Sequence, residues 1–337
     1  MNFCVGFTVS TIIISMQIFI HPLHAKNTLQ LQKEKDILKE ASIENVFIYP
    51  KKNSTSDETL KRHAVLTKYK DAAATIVFCH GFLCDKYDIA CFRNMFPVGQ
   101  YNFLTFDFRG HGQDTQGQIS TLGHDEALDV IAAAQFVREH PDLKDKPVFA
   151  WSFSMGGVAA IIAQAHHILF DAMIFDCAFD STEKLIKQGF NQMRFSLFGY
   201  TFDIPGRSLL EKYALHPYVQ SFLQKMLKVC VHWDTKHVHL QAIAINPVES
   251  MAQISVPCFF IHCINDEKVP LESAHALYNS AKGYKRLWIT QGRRHFDSFF
   301  YNPERYAYKV RKFLDQVLHN TLSKEYAKII NDVKNVT

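Results

Sequence analysis

The stretch Val148-Phe149-Ala150-Trp151-Ser152-Phe153-Ser154-Met155-Gly156-Gly157 decides how this chain is read. Its first six residues are apolar apart from one serine, as a strand covered on both faces should be. The small, apolar residues from 155 to 167 suit a buried helix. A strand that turns at once into a helix lifts the residue at the turn off the sheet, and here that residue is Ser154. Small residues two before and two after it, Ser152 and Gly156, let strand and helix approach closely. This is the spacing of a nucleophile elbow, with serine replacing the usual first glycine. Two plainer readings compete: Ser154 as an ordinary helix N-cap, and Ser152 as the reactive serine, although its plus-two neighbour is Ser154 rather than glycine.

Working outward, short β-branched or aromatic runs alternate with longer amphipathic segments. Strands are expected at 75–80, 102–107, 148–153, 172–177, 257–263 and 285–290. Helices are expected at 122–140, where Ala127, Val130, Ile131, Ala134 and Val137 share a face, and at 155–167. A last helix carries Tyr306, Val310, Phe313, Leu314 and Val317. The rhythm predicts an α/β fold, a doubly wound and mostly parallel sheet. One interval, 181–254, breaks it. It has no convincing core strand but many aromatics, including Phe190, Phe195, Phe198, Tyr200, Phe202, Tyr213, Phe222 and Trp233, and is read as a helical cap insertion.

A reactive serine needs a base, and the base needs an orienting acid. The apolar run Cys258-Phe259-Phe260-Ile261-His262-Cys263 ends in Ile264-Asn265-Asp266-Glu267-Lys268-Val269-Pro270, a polar turn that offers Asp266. Its plain reading is a turn aspartate or helix cap, and Asp176 and Asp180, beyond an earlier strand, are rivals. Gln291-Gly292-Arg293-Arg294-His295-Phe296-Asp297 follows the last strand and offers His295. One histidine among 17 means little by itself, but serine, acid and histidine in this chain order match one particular triad fold.

Phe78-Cys79-His80-Gly81-Phe82 and Phe106-Asp107-Phe108-Arg109-Gly110-His111-Gly112 complete the pattern. Over residues 70–320 the chain resembles the α/β-hydrolase superfamily, in particular its serine-aminopeptidase-like and lysophospholipase-like branch. The first motif looks like the His-Gly turn after the third strand, and the second like the Asp-x-Arg-Gly-x-Gly loop after the next. The resemblance implies attack by Ser154, with His295 as base and Asp266 as its acid. It implies an oxyanion held by the backbone N–H groups of Phe82 and Met155, with His80 shaping the turn and Asp107, Arg109 and His111 building the loop beside the site. It calls for no metal and no organic cofactor, and the serine at the elbow argues against an aspartate-nucleophile dehalogenase.

The substrate expected is a small-molecule or lipid acyl compound, a carboxylic ester or a thioester. The aromatics of 181–254 either line an apolar acyl pocket or simply fill the insertion's own core. A peptidase, an acyltransferase or a non-catalytic binding protein of the same fold are the alternatives.

The 337 residues, 47% of them hydrophobic, can bury one large core. A net charge of +4 with dispersed Lys and Arg gives no nucleic-acid surface. Residues 1–25, apolar from Phe3 to Ile20, are read as a signal peptide or N-terminal anchor ahead of a hydrolase domain at 26–337. This implies export, secreted or periplasmic, with membrane association through that segment. The eight cysteines show no CxxC pair or zinc spacing and are read mainly as packed thiols, with a disulfide at Cys79 or Cys84 unsupported. His232, His237 and His239 fit no familiar metal-ligand set, so no metal is expected.

Overall fold

The computed structural model describes residues 41–50, 61–113, 118–192, 194–197, 200–203, 212–213, 215–216, 218–220 and 239–322. The segments 1–25 and 26–40, the aromatics Phe198, Phe222 and Trp233, and His232 and His237 lie outside them.

Eight strands form one sheet: β1 (Ser42–Ile48), β2 (Arg62–Lys68), β3 (Ala74–Cys79), β4 (Tyr101–Phe106), β6 (Val148–Phe153), β7 (Ala172–Asp176), β11 (Cys258–Cys263) and β12 (Lys285–Thr290). Their spatial order is β1-β2-β4-β3-β6-β7-β11-β12. β3, β4, β6, β7, β11 and β12 run parallel, whereas β1 and β2 pair antiparallel at one edge. Every residue of β3, β4, β6, β7 and β11 is buried. Such strands must be apolar on both sides, which is why they stand out as continuous runs.

Helices cover both faces. One core layer joins the sheet to α1 (Glu126–Glu139) and α2 (Met155–His166). The other joins it to α7 (Pro303–Leu318) through Phe92, Trp151, Phe153, Tyr306 and Phe313.

Among the described residues, the insertion adds no strand to the main sheet. Its described parts are α3 (Thr182–Gln192), a hairpin of β8 (Arg194–Leu197) and β9 (Tyr200–Asp203), β10 (His239–Leu240) and α4 (Pro247–Met251). The hairpin is a strand pair outside the main sheet, which the expectation of a helical cap did not include. Arg194-Phe195-Ser196-Leu197 and Tyr200-Thr201-Phe202-Asp203 alternate with period two, a strand pattern masked by the surrounding aromatics. β10 pairs with β5 (Ile119–Ser120) outside the sheet. Two more helices, α5 (Leu271–Ser280) and α6 (Ser298–Tyr301), flank the loops after β11 and β12. Among the described residues no helix is long and apolar enough to cross a membrane.

Candidate active site

The turn between β6 and α2 holds Ser154 at φ 48° and ψ −116°, a left-handed conformation that costs a non-glycine residue about 1–3 kcal/mol. Three hydrogen bonds impose it. The Ser154 N–H donates to Asp176 O at 2.9 Å, and the Ser154 carbonyl accepts from Gly157 N at 2.9 Å and Val158 N at 3.2 Å. Close packing allows the turn: a Cβ on Gly156 would lie 2.4 Å from the carbonyl oxygens of both Cys79 and His80. Ser154 occupies the N-cap position, but its hydroxyl caps nothing. The hydroxyl lies 3.0 Å from His295 Nε2 instead. Ser152 is sealed inside β6, which removes it as a competing nucleophile.

His295 stands in the loop between β12 and α6. Its Nδ1 is 2.7 Å from Asp266 Oδ2. A carboxylate only accepts, so a neutral imidazole carries its proton on Nδ1 and leaves Nε2 free to accept from the serine. The Asp266 side chain is fully buried, and its Oδ1 accepts from the backbone N–H groups of Lys268 at 3.0 Å and Val269 at 2.9 Å. The turn after β11 thus aims one carboxylate oxygen at the imidazole and ties down the other. His262 braces the same turn by donating from Nε2 to Val269 O at 2.9 Å.

Gly81, which precedes Phe82, and Met155 flank the serine from two sides. A Cβ on Gly81 would meet Ser154 Cβ at 3.7 Å, so the His-Gly turn runs directly beside the elbow. Met155 opens α2, where first-turn N–H groups have no partner within the helix. His80 is fully buried; its Nδ1–H donates to Gly81 O at 2.8 Å and its Nε2 accepts from Phe108 N at 3.0 Å. It pins the turn to the neighbouring loop, as expected.

That loop is itself braced by buried charge. Asp107 accepts from Lys86 N at 2.9 Å, Lys86 Nζ at 2.5 Å and Gln113 N at 3.1 Å. Gly112 is obligatory beside it, because a Cβ there would lie 2.2 Å from the Asp107 carboxyl carbon. Arg109 grips Asp129 with Nε at 3.1 Å and Nη2 at 3.0 Å, and Arg62 reaches the same carboxylate at 3.0 Å. Burial alone would push Asp129 up, but the two guanidinium groups hold it below the usual carboxylate range. His111 donates from Nδ1 to Arg109 O at 2.9 Å.

The rival acids serve elsewhere. Asp180 binds Ser273 Oγ at 2.7 Å and Lys184 Nζ at 2.5 Å. Asp176 accepts from Tyr306 Oη at 2.6 Å and from Cys177 Sγ at 3.2 Å, and burial pushes its carboxyl up to about 6. Cys79 and Cys84 are free thiols, as are Cys91, Cys177, Cys258 and Cys263. Sequence reasoning missed Asp129, Glu126, Lys86 and Cys177. Asp129 and Glu126 did leave a signal, as acids on the buried face of an otherwise apolar helix.

Histidines buried without charge give the fold a pH dependence. Burial lowers His80 to about 3 and also lowers His111 and His262. Each folded value lies below the free imidazole value of about 6.5, so the stabilisation is full above that pH and is lost as pH falls below it, for His80 down to about 3. His80 alone accounts for up to about 4–5 kcal/mol across that window. Asp176, raised to about 6, carries the opposite sign: its contribution is full below about pH 4 and lost as pH rises through 6, by up to about 3 kcal/mol. Asp88, also raised by burial, acts with Asp176, whereas Asp129, held low, acts with the three histidines; with the larger loss on the histidine side, the urea midpoint should fall from pH 7 to pH 4. A flat profile would contradict the uncharged burial of these rings.

Comparison with known proteins places this geometry in context. The chain is 23% identical over 253 residues to the uncharacterized protein YqkD of Bacillus subtilis (strain 168), covering 74% of each. To the uncharacterized protein YfhR of Escherichia coli (strain K12) it is 24% identical over 233 residues, 68% of this chain and 65% of that one. Among solved structures, an esterase of Pyrococcus furiosus superposes with a TM-score of 0.59 at 19% identity, over 88% of this chain and 97% of that one. An acylaminoacyl peptidase of Pyrococcus horikoshii superposes with a TM-score of 0.54 at 16% identity, over 86% of this chain and 43% of that one. At such identities these superpositions speak for the fold. The sequence model of the alpha/beta hydrolase family matches residues 76–309, a span that begins in β3, ends in α7 and contains Ser154, Asp266 and His295, and the chain belongs to that family.

Proposed function

We propose that this protein is a serine hydrolase that cleaves a carboxylic ester through an acyl-enzyme on Ser154. The observation that carries the proposal is the unbroken chain from Ser154 Oγ to His295 Nε2 at 3.0 Å and from His295 Nδ1 to Asp266 Oδ2 at 2.7 Å. His295 takes the hydroxyl proton as Ser154 Oγ attacks the ester carbonyl, and the imidazolium gives that proton to the departing alcohol. Asp266 holds the ring and balances its transient charge. Water, deprotonated by the same histidine, then releases the acid and restores the serine. The N–H groups of Phe82 and Met155 receive the carbonyl oxygen as it becomes negative; one such donor is worth about 3–4 kcal/mol in the transition state.

Labelling with a fluorophosphonate tests the proposal. The wild-type chain should form one adduct, mapped to Ser154 by peptide analysis, and Ser154→Ala and His295→Ala should form none. An adduct on another residue, or a folded wild type that stays unlabelled, overturns it.

A further inference from the structure

Cys177 follows β7 directly and holds φ 50°, a conformation that side chains rarely adopt. It is fully buried, and one ligand atom from each of Cys177, Asp266 and His295 lies within 4.8 Å of the other two. The proposed hydrolysis gives this thiol no task. We propose that Cys177, Asp266 and His295 form a binding site for a thiophilic divalent cation of the zinc type, whose occupation switches hydrolysis off.

The chemistry of the three groups suits such an ion. Zinc bonds sulfur at about 2.3 Å and nitrogen or oxygen at about 2.0–2.2 Å, so its tetrahedral ligands stand roughly 3.3–3.6 Å apart. Side-chain shifts of about 1 Å or less would bring the three atoms to those separations. A thiolate and a carboxylate neutralise a dication, so the filled site holds no net charge, which its burial demands. The mixed sulfur, nitrogen and oxygen set favours zinc, cobalt or cadmium over magnesium or calcium.

Binding also explains how the ion would silence the enzyme. The imidazole nitrogen facing Asp266 is Nδ1, so it is the one offered to the ion. The imidazole proton then moves from Nδ1 to Nε2, and the thiol proton leaves for solvent as the sulfur–metal bond forms. A metal draws that proton off even where burial raises the thiol well above its ordinary value. Nε2 now carries hydrogen and cannot accept the proton of Ser154. This inhibitory consequence rests on the function proposed above; the binding itself does not.

The test uses the full chain, stripped of metal by a chelator. Zinc should inhibit ester hydrolysis and EDTA should restore it, while magnesium has no effect. Cys177→Ser and Cys177→Ala should hydrolyse the ester in metal-free buffer but need about 100-fold more zinc for the same inhibition, at least the loss seen when a ligand's outer support is removed. Cobalt binding gives an independent readout. Wild type should show a thiolate-to-cobalt charge-transfer band that Cys177→Ser and His295→Ala both lack. If that band is absent in wild type, or if the Cys177 variants remain as zinc-sensitive as wild type, the inference is wrong. A protein that shows the band but hydrolyses no ester refutes the proposed function and leaves the metal site standing. One that hydrolyses without the band does the reverse.

Discussion

Ser154→Ala should lower kcat/KM for ester hydrolysis by about 10⁴–10⁶ while the protein stays folded. The substitution removes one hydroxyl and its 3.0 Å contact with His295, a stability loss of about 1 kcal/mol. Alanine meets the same φ of 48° that serine already tolerates, so no new strain arises. His295→Ala should cause a comparable fall, because without the base the hydroxyl is a poor nucleophile. The double variant should then be little worse than either single one, since groups that act as a unit are lost together. Steady-state kinetics on a short-chain aryl ester would decide it, with circular dichroism to establish that each variant folds. Losses that multiply would mean that Ser154 and His295 act separately and that their hydrogen bond has no part in turnover.

How much of this could be read beforehand depended on where each element sits. The runs expected at 75–80, 102–107 and 148–153 appear as Ala74–Cys79, Tyr101–Phe106 and Val148–Phe153. Strands buried on both faces have no choice but to be apolar, and this makes them legible. β1 escaped notice because it is half exposed: burial alternates along it, but its residue types, Ser-Ile-Glu-Asn-Val-Phe-Ile, do not follow that alternation. β2 escaped for a subtler reason: it buries Arg62 completely. An arginine inside a strand looks like surface until its partner is known, and that partner, Asp129, lies 67 residues away on α1. No local pattern carries such a pairing. The sequence predicts a start for α1 at 122, and the helix begins at Glu126. The Glu126 carboxylate accepts from Thr121 N at 2.9 Å and Gly123 N at 2.8 Å, winding those residues into a turn with Leu122 at φ 59°.

The site divides along the same line. Ser154, Asp266 and His295 were identifiable because each follows a legible strand and stands in a loop whose residue types are narrow. Their mutual distances were not identifiable, since these depend on β6, β11 and β12 lying in one sheet with only β7 between the first two. The brace that His262 gives to the acid turn, and the position of Cys177 beneath the acid and the base, emerge only when the strands are packed together.

Gly156→Ala should destabilise the protein by about 2–4 kcal/mol and slow turnover by more than that loss explains. The new methyl group would meet the backbone oxygens of Cys79 and His80 at 2.4 Å and the Cys79 carbonyl carbon at 2.6 Å. Such contacts cannot be relieved by rotating a side chain. β3 cannot move aside either, because it is paired on both edges, with β4 and with β6. Overpacking of this kind commonly costs about 1–3 kcal/mol and occasionally more, well above the roughly 1 kcal/mol that alanine returns in a helix. What yields is the segment from His80 to Phe82, where β3 gives way to its loop, and its displacement draws the Phe82 N–H away from the elbow. Loss of that donor would lower kcat by about 10²–10³ with little change in KM. Gly189→Ala is the control: it lies in α3 with nothing within 4 Å of the added carbon, so stability should rise by about 1 kcal/mol. Thermal melts and steady-state kinetics on both variants separate the effects. Equal melting points for Gly156→Ala and wild type would show that helix and strand have room to spare, and the elbow would then need some other reason for glycine at this position.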